Sequence, residues 1–439
     1  MTKLSEWAYS NCKLGSALYT LCDFASIAND FFKEELMKKI NLLLLTLPLA
    51  LAACGGQTSN NGEKNPTAVK AEAASKMTEE QLIAEAKKET GSFVAYGNTS
   101  RITKAMENFA AAYGEKIGLS ADKCKATKLD DSKIYTLLQT EYASASNSNG
   151  ASFVLVQDSA NLNLYRNSSD MLTNYHSSLF DSNLSQDELV PLTHQYINKL
   201  FIWNNKDGDA APKFTNVWEL TEEKFANKIY FKSPDAEQVN MNFLITLTSP
   251  AWVTKMETAY KAHFGKDYVK SDKYENASYE WIAKFLTNAD TSSITSDTKI
   301  AAAVSEESNH DKVGLFVLSK LRDKSVTTDN LTVGAWQSES ITPFAGFMYS
   351  IYAQLATKGP RPYTAMLFTN YLMTAEGFAP WSTSVGGYSS MKNIPVYEGD
   401  KNLDFYKNCL VVEDGAYIST VKVSAQDWIN KILANKGKK

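Results

Sequence analysis

A run of four polar residues follows a short apolar segment that begins at Ser92 and breaks at Gly97. A helix is predicted directly after them, from about Ile102 to Tyr113. A polar loop between the end of a strand and a helix N-terminus presents free backbone N–H groups, and a guanidinium adds a positive charge. The spacing predicts a site for an anion or another polar ligand; simple N-capping of the helix by a hydroxyl is the alternative. The four residues are Asn98, Thr99, Ser100 and Arg101.

A second apolar segment repeats this pattern. Residues 151–157 are predicted to form a buried strand, after a helix from about Ser132 to Ala143, and the strand ends in Asp158 and Ser159. Two such units indicate a parallel sheet whose polar loops converge at one edge. We therefore expect Asp158 and Ser159 to lie beside the first loop.

Recognisable catalytic and metal-binding motifs are missing from the sequence. It has no Gly-x-Ser-x-Gly elbow, no His-Glu-x-x-His, no Gly-rich phosphate loop with lysine and no cysteines at zinc spacing. The four histidines are scattered without the spacing of a metal site: His176, His194, His263 and His310. We expect no enzyme, no metal and no cofactor.

Composition limits the class of partner. The net charge is −4, and a mildly acidic chain lacks the basic stripe that nucleic acid requires, so no nucleic-acid partner is expected. The length allows two domains with sizeable cores. Among the five cysteines, Cys124 and Cys409 could pair outside the cytoplasm, and the sequence does not decide whether they meet.

Residues 37–53 have the layout of an export signal. Two lysines precede an apolar run from Leu42 to Ala53, which is shorter than the about 20 residues that cross a membrane. The residues Leu51–Cys54 resemble the lipobox of bacterial lipoproteins, which implies cleavage before Cys54 and its lipidation. An ordinary signal followed by an unrelated cysteine is the alternative.

The segments on either side of this signal are predicted to lie outside the folded domain. A signal normally begins a chain, so we interpret residues 1–36 as a mis-assigned N-terminal extension, with translation starting at Met37. Residues 54–76 are rich in Gly, Ser, Asn, Lys and Ala and contain no aromatic residue, which predicts a flexible tether. A helix with acidic residues in its first turn then opens the folded domain at Met77.

Four segments, taken in order, resemble one family of binding proteins. They are a helix and strand at 81–97, an apolar strand at 199–205, a tryptophan-containing stretch at 214–234 and a late helix at 359–378. Together they resemble the solute-binding proteins of ABC transporters, in the ferric-iron-binding, type 2 periplasmic class. The resemblance spans roughly 77–433. It implies an α/β fold of two lobes with a hinge and an interlobe ligand cleft: lobe one would be 77–198 and 336–439, and lobe two 199–335.

The chain departs from this family where iron binders hold their metal. Iron-binding members carry adjacent tyrosines just after a Val-Gly-Leu-like strand, whereas here Phe316 and Val317 occupy the matching positions. The expected cleft loops instead supply hydroxyls, one amide, one guanidinium, one indole and two acids: Asn98, Thr99, Ser100, Arg101, Asp158, Ser159, Ser233, Trp336, Ser338 and Glu339. Arg101 favours an oxyanion. Asp158 and Glu339 favour hydroxyls or an amine, and the sequence leaves this conflict open.

These features predict a substrate-binding lipoprotein of an ABC importer. It would capture a small solute, an organic anion such as a phosphorylated or phosphonate compound, by cleft closure and deliver it to the permease. The alternatives are an iron-binding or polyamine-binding protein of the same fold, or a surface lipoprotein without a transport role. We expect an exported monomer, anchored by lipid to a membrane in the periplasm or on the cell surface.

Overall fold

The computed structural model describes residues 65–144, 149–206, 212–337 and 340–436. The predicted export signal, Cys54, Ser338 and Glu339 lie outside these ranges. Within them, no helix combines the length and the apolar character needed to span a membrane.

One mixed β-sheet runs through the described residues. Along its main path the strands are β2 (Cys124–Lys128), β1 (Phe93–Gly97), β3 (Phe153–Val156), β10 (Gly346–Ala356), β5 (Thr193–Asn204), β8 (Val313–Val317), β6 (Ile229–Phe231) and β7 (Ala289–Asp290). Short strands β4 (Leu172–Thr173) and β12 (Val411–Val412) pair with β10, and β9 (Leu331–Val333) and β11 (Tyr388–Ser389) pair with β5.

The sheet contains two groups of parallel strands separated by two long antiparallel strands. The first parallel group is β2-β1-β3 and the second is β8-β6-β7. Strands β10 and β5 lie between them and pair antiparallel with each other and with the adjacent members of the groups. Helices on both faces of a parallel sheet bury its strands completely, which explains why every residue of β3 is apolar and buried.

The helices surround this sheet. They are α1 (Pro66–Ala74), α2 (Glu79–Ala86), α3 (Arg101–Tyr113), α4 (Asp131–Ala143), α5 (Ser159–Asn163), α6 (Gln186–Leu189), α7 (Gln238–Leu247), α8 (Pro250–Phe264), α9 (Ala277–Asn288), α10 (Asp297–Ser305), α11 (Pro362–Leu372), α12 (Ala375–Phe378), α13 (Leu403–Cys409) and α14 (Gly415–Asn435). In the first group, α3 and α4, both predicted from the sequence, connect the parallel strands through β2, which was not predicted.

Helix α1 lies inside the predicted tether and corrects it. Asn65 caps the helix by accepting a hydrogen bond from the Thr67 N–H, and Pro66 occupies the first turn, where a missing N–H costs nothing. Ala71 and Ala74 are buried, and α1 packs on α11. Composition predicted flexibility because small residues bury little surface each, but they allow close packing against a helix that is already folded.

Helix α14 departs from the predicted division into lobes. The sequence assigns it to lobe one, yet it packs on α7 and α9, beside the second parallel group, and also contacts α5. Its buried residues Ile418, Ala425 and Ile429 recur at helical spacing. The rings of Trp428 and Tyr279 meet with centroids 4.7 Å apart. This C-terminal helix therefore contacts elements from both predicted lobes.

Candidate functional site

A cleft of about 560 Å³ lies at the carboxyl ends of the first parallel group. On the first group's side it is lined by Asn98–Arg101, Lys128, Asp130–Ser132, Gln157, Asp158 and Asn161. On the other side it is lined by Lys232, Asp235–Gln238, Ser296–Thr298, Val317, Ser319, Lys320 and Arg322. Ile197 and Tyr349 come from the two middle strands. The predicted convergence of polar loops at one sheet edge thus coincides with a real cavity.

Five of the predicted site residues line this cleft: Asn98, Thr99, Ser100, Arg101 and Asp158. The first four occupy the turn between β1 and α3, where the backbone N–H of Arg101 donates to the Thr99 hydroxyl at 3.3 Å. Ser100 makes no side-chain cap.

Three other predicted residues do not line the cleft. The Ser159 hydroxyl donates to the buried Glu413 carboxylate, and the Trp336 indole N–H donates to the Tyr406 hydroxyl at 2.8 Å. Ser233 is next to a cleft residue without being one itself. Ser159 and Trp336 each have a hydrogen-bond partner within the protein.

Sequence reasoning missed most of the positive charge in the cleft. Four cations, which we call the cation cluster, approach from both sides: Arg101, Lys128, Lys320 and Arg322. Lys320 and Arg322 lie on the 3-10 turn Leu318–Arg322, directly after β8. The rule that found Arg101, a polar residue just past the end of a strand, would also have found them.

Members of the cation cluster repel one another. Burial, together with the charge of Arg322, lowers the pKa of Arg101 to about 10. Burial also lowers the pKa of Lys320, and the charges of Arg322, Lys128 and Arg101 act in the same direction. Among the described residues, the buried Nη2 of Arg101 has no hydrogen-bond partner. A bound anion would satisfy this donor and offset the repulsion.

Two of the three acids on the first group's side, Asp131 and Asp158, accept hydrogen bonds from backbone N–H groups, whereas Asp130 makes no side-chain cap. Asp158 caps α5, where its Oδ1 accepts from the N–H groups of Ala160 and Asn161 and its Oδ2 from the Asn161 amide at 2.6 Å. Asp131 accepts from the N–H groups of Gln157 and Asp158 at 2.8 and 2.9 Å. Burial raises the pKa of Asp131 to about 7, and the charge of Asp158 contributes. These contacts make Asp158 a capping residue, so it no longer argues for an amine on the ligand.

Two of the three acids on the other side, Glu237 and Asp297, are paired with lysines, and Asp235 is the third. The ammonium of Lys199, fully buried on β5, lies 2.5 Å from Glu237 Oε2 and 3.3 Å from Asp297 Oδ1. Lys232 lies 3.6 Å from the same Glu237 oxygen. Both carboxylates are therefore balanced by positive charge within the wall of the cleft.

Iron ligands of the tyrosine type are sparse at the cleft. Val317 lines it, Phe316 is fully buried, and Tyr349 is the only tyrosine among the lining residues that the structure describes. In the described ranges no three residues of the types His, Cys, Asp and Glu are grouped to hold a metal.

Cys124 and Cys409 are both free thiols, so the pairing left open by the sequence is not formed.

Comparison with known proteins identifies the fold. No family model and no curated protein matched the sequence. Among solved structures, the Trichodesmium protein IdiA (FutA) in complex with iron and citrate matches with a TM-score of 0.54 and 14% identity, over 80% of this chain and 100% of that one. Apo ferric ion-binding protein A of Pasteurella haemolytica matches with a TM-score of 0.55 and 10% identity, over the same shares. The periplasmic binding protein P5PA matches with a TM-score of 0.53 and 12% identity, over 78% and 100%.

The chain therefore has the mixed α/β fold of type 2 periplasmic binding proteins, as the resemblance in its sequence implied. Two of these three matched structures are described as binding or carrying iron, and the likeness to them is one of fold.

Proposed function

We propose that this chain is the solute-binding protein of an ABC importer, without enzymatic activity of its own, and that its cleft captures a small anionic solute for delivery to the permease. The fold supports the general role, because its matches include periplasmic binding proteins. The observation that carries the anion is the buried, unpartnered Nη2 of Arg101 beside Lys320 and Arg322. A charge-assisted hydrogen bond to such a group contributes about 1.5 to 3 kcal/mol.

The two sides of the cleft would close on the ligand together. Arg101 and Lys128 come from the first parallel group, and Lys320 and Arg322 follow β8 of the second. An anion between them replaces repulsion by attraction on both sides, which favours closure. A phosphorylated or phosphonate compound would suit these donors, since its oxygens accept several charge-assisted bonds at once.

Iron in company with an anion is the second candidate. The Trichodesmium match was solved with iron and citrate, and the Pasteurella match is a ferric ion-binding protein. The cation cluster would suit the carboxylates of a ferric citrate complex better than a bare ferric ion, because Val317 stands where a phenolate would bind metal. A polyamine has less support, since Asp158, Glu237 and Asp297 already have partners. A surface lipoprotein without a transport role would leave the cleft unused.

Export and lipid attachment complete the proposal. Cys54 would carry the anchor and hold the binding domain at a membrane, in the periplasm or on the cell surface, where it acts as a monomer beside its permease.

A thermal-shift screen tests the proposed ligand class. The purified protein is heated with sugar phosphates, phosphonates, citrate, ferric citrate, ferric chloride and spermidine. A ligand at about 100 times its dissociation constant stabilises the protein by about 2.7 kcal/mol. We expect a shift with one or more organic anions. A shift with ferric citrate but not with citrate alone would favour the second candidate. A shift with spermidine alone would contradict an anion site.

A further inference from the structure

Lys199 is a charged residue with no exposed surface, and it stands beneath the cleft rather than in it. Its ammonium donates to three oxygens: Glu237 Oε2 at 2.5 Å, Asn240 Oδ1 at 3.0 Å and Asp297 Oδ1 at 3.3 Å. All three donor positions are thereby used. A lysine is rarely buried unless it is paired in this way.

Two of these partners belong to the cleft wall. Glu237 immediately precedes α7 and Asp297 is the first residue of α10, and their side chains keep 14% and 11% of their surface exposed. Without Lys199, Glu237 would retain only Lys232 and Asp297 would have no ion-pair partner among the described residues. Two carboxylates would then face the cavity opposite the cation cluster.

We propose that Lys199 is a positioning residue that sets the charge selectivity of the cleft, because it neutralises Glu237 and Asp297 and so leaves the cation cluster free to hold an anion. This inference rests on the proposed function, in which the cleft binds an anionic solute. It assigns a binding role to a residue that does not touch the ligand.

Charge in this network already acts on the cation cluster. The negative charge of Asp297 raises the pKa of Lys320, against the larger effect of burial. Between partly buried groups such an interaction is weakly screened by salt. An unneutralised Asp297 would therefore attract Lys320 and compete with the ligand for it.

The pH dependence of a Lys199 variant follows from the groups that face the pair. They are Lys199, Lys232, Lys320 and Tyr349, besides Glu237 and Asp297 themselves. Although burial acts to raise it, the charges of Lys199 and Lys232 hold the pKa of Glu237 below its usual value. Burial raises the pKa of Asp297 even with Lys199 present.

Removing Lys199 would raise the pKa of both acids. Burial and the mutual repulsion of the two carboxylates raise these pKa values, and the positive charge of Lys199 would no longer lower them. The pair would then hold a proton at low pH and release it as the pH rises. Anion affinity of the variant should fall over the same range, because the added negative charge repels the ligand. In the unmodified protein the charge of Lys199 lowers the pKa of both acids, so the same pH dependence should be weaker there.

The test compares Lys199→Met with the matched control Lys312→Met. The Lys312 ammonium donates to the Tyr230 hydroxyl at 2.7 Å and does not line the cleft. Calorimetric titration with sulfate, which does not change charge between pH 5.5 and 8.5, reads out affinity. We expect at least a tenfold loss for Lys199→Met at pH 8.5, a smaller loss at pH 5.5 and no change for the control. The triple variant Lys199→Met, Glu237→Gln, Asp297→Asn should regain sulfate binding, and Glu237→Gln alone should bind sulfate more tightly than the unmodified protein.

A second readout does not depend on anion binding. Without the ammonium, the oxygens of Glu237, Asn240 and Asp297 surround a space that suits a hard cation. Lys199→Met should therefore bind terbium, seen by its sensitised luminescence, and the unmodified protein and the triple variant should not. If no protein binds sulfate but the terbium site appears, the proposed anion function fails and the neutralising role of Lys199 stands.

Equal sulfate affinity in both lysine variants, or a pH-independent loss that the triple variant does not restore, would overturn the inference. Should Lys199→Met not fold, tighter sulfate binding by Glu237→Gln still supports it, and weaker binding contradicts it.

Discussion

The side-chain amide of Asn242 donates a hydrogen bond of 3.2 Å to Oε1 of Glu413, and the Ser159 hydroxyl donates to the same oxygen. Asn242 lies on α7, beside the second parallel group, and Ser159 begins α5 after β3 of the first. The other carboxylate oxygen of Glu413 is buried and has no partner among the described residues. Burial raises the pKa of Glu413 to about 8, and the charges of Asp158 and Asp131 contribute. Glu413 therefore links α7 to α5 through hydrogen bonds, and it is a neutral acid at moderate pH.

Stability should consequently fall as the pH rises toward 8. In the unfolded chain a glutamate ionises near pH 4.3, whereas folded Glu413 keeps its proton until about pH 8. Between these values the folded state binds the extra proton, so the free energy of unfolding decreases with pH, by at most about 1.4 kcal/mol per pH unit for one group. In Glu413→Gln this slope should shrink, because glutamine still accepts from Asn242 and does not titrate. Urea unfolding from pH 5.5 to 8.5 measures the slope.

An exposed glutamate provides the control for this experiment. Glu398→Gln should leave the slope as it is, since this residue lies at the surface. A curve for Glu413→Gln that runs parallel to that of the unmodified protein would show that Glu413 does not hold the proton. In Glu413→Gln the free energy of unfolding should still decrease with pH, but less steeply, because Asp131 also has a raised pKa, of about 7.

Arg101→Ala should weaken an anionic ligand by about 1.5 to 3 kcal/mol, the contribution of a charge-assisted hydrogen bond. Arg322→Ala removes a cation from the opposite side and should weaken the same ligand. Lys104→Ala, on the same helix as Arg101 but paired with Glu107 at the surface, serves as the control. Calorimetry with the best anion of the thermal-shift screen gives the affinities. Equal affinities of all three variants for the anion would contradict a role of the cation cluster in binding.

Ligand should compact the protein. Small-angle scattering with and without a saturating anion should show a smaller radius of gyration in the bound state, because the cations on the two sides of the cleft close on the ligand. The Arg101→Ala variant at the same ligand concentration should stay closer to the unbound radius. An unchanged radius, with binding shown by calorimetry, would mean that the cleft is preformed and rigid.

Cys54→Ala should release the protein from the membrane or leave it unprocessed. Stable attachment needs more than one acyl chain, which a lipidated N-terminal cysteine supplies. Partition into detergent, with Cys124→Ala as the control, reads out the anchor. An unchanged detergent fraction for Cys54→Ala would refute lipidation.

Sequence reasoning found what local rules determine and missed what distant partners determine. The turn Asn98–Arg101 was predictable because a strand that ends in polar residues before a helix marks a sheet edge wherever it occurs. Nothing local in the sequence indicates that Ser159 contacts Glu413, 254 residues away, or that Trp336 contacts Tyr406, 70 residues away.

Strands β1 and β3 and the fold class were equally accessible, since apolar periodicity and motif order encode them, whereas the mostly exposed edge strand β2 was not predicted. Tertiary contacts decide the remainder. Helix α1 packs on α11, and α14 packs on α7 and α9 of predicted lobe two as well as on α5 of predicted lobe one. Lys199 forms ion pairs with Glu237 and Asp297 in the cleft wall. Its sequence neighbours are mostly apolar and do not indicate two acidic partners.

Helix α1 also sets a length scale for the anchored protein. Only residues 55–65 separate Cys54 from its first residue, Pro66. A chain of that length extends to about 40 Å at most, whatever its conformation. With the proposed anchor on Cys54, every cleft would be confined to a thin layer above the lipid, and its encounters with a permease would become a two-dimensional search. Confinement of this kind raises the local concentration toward the millimolar range, so even a weak, short-lived contact with the permease would suffice for efficient delivery.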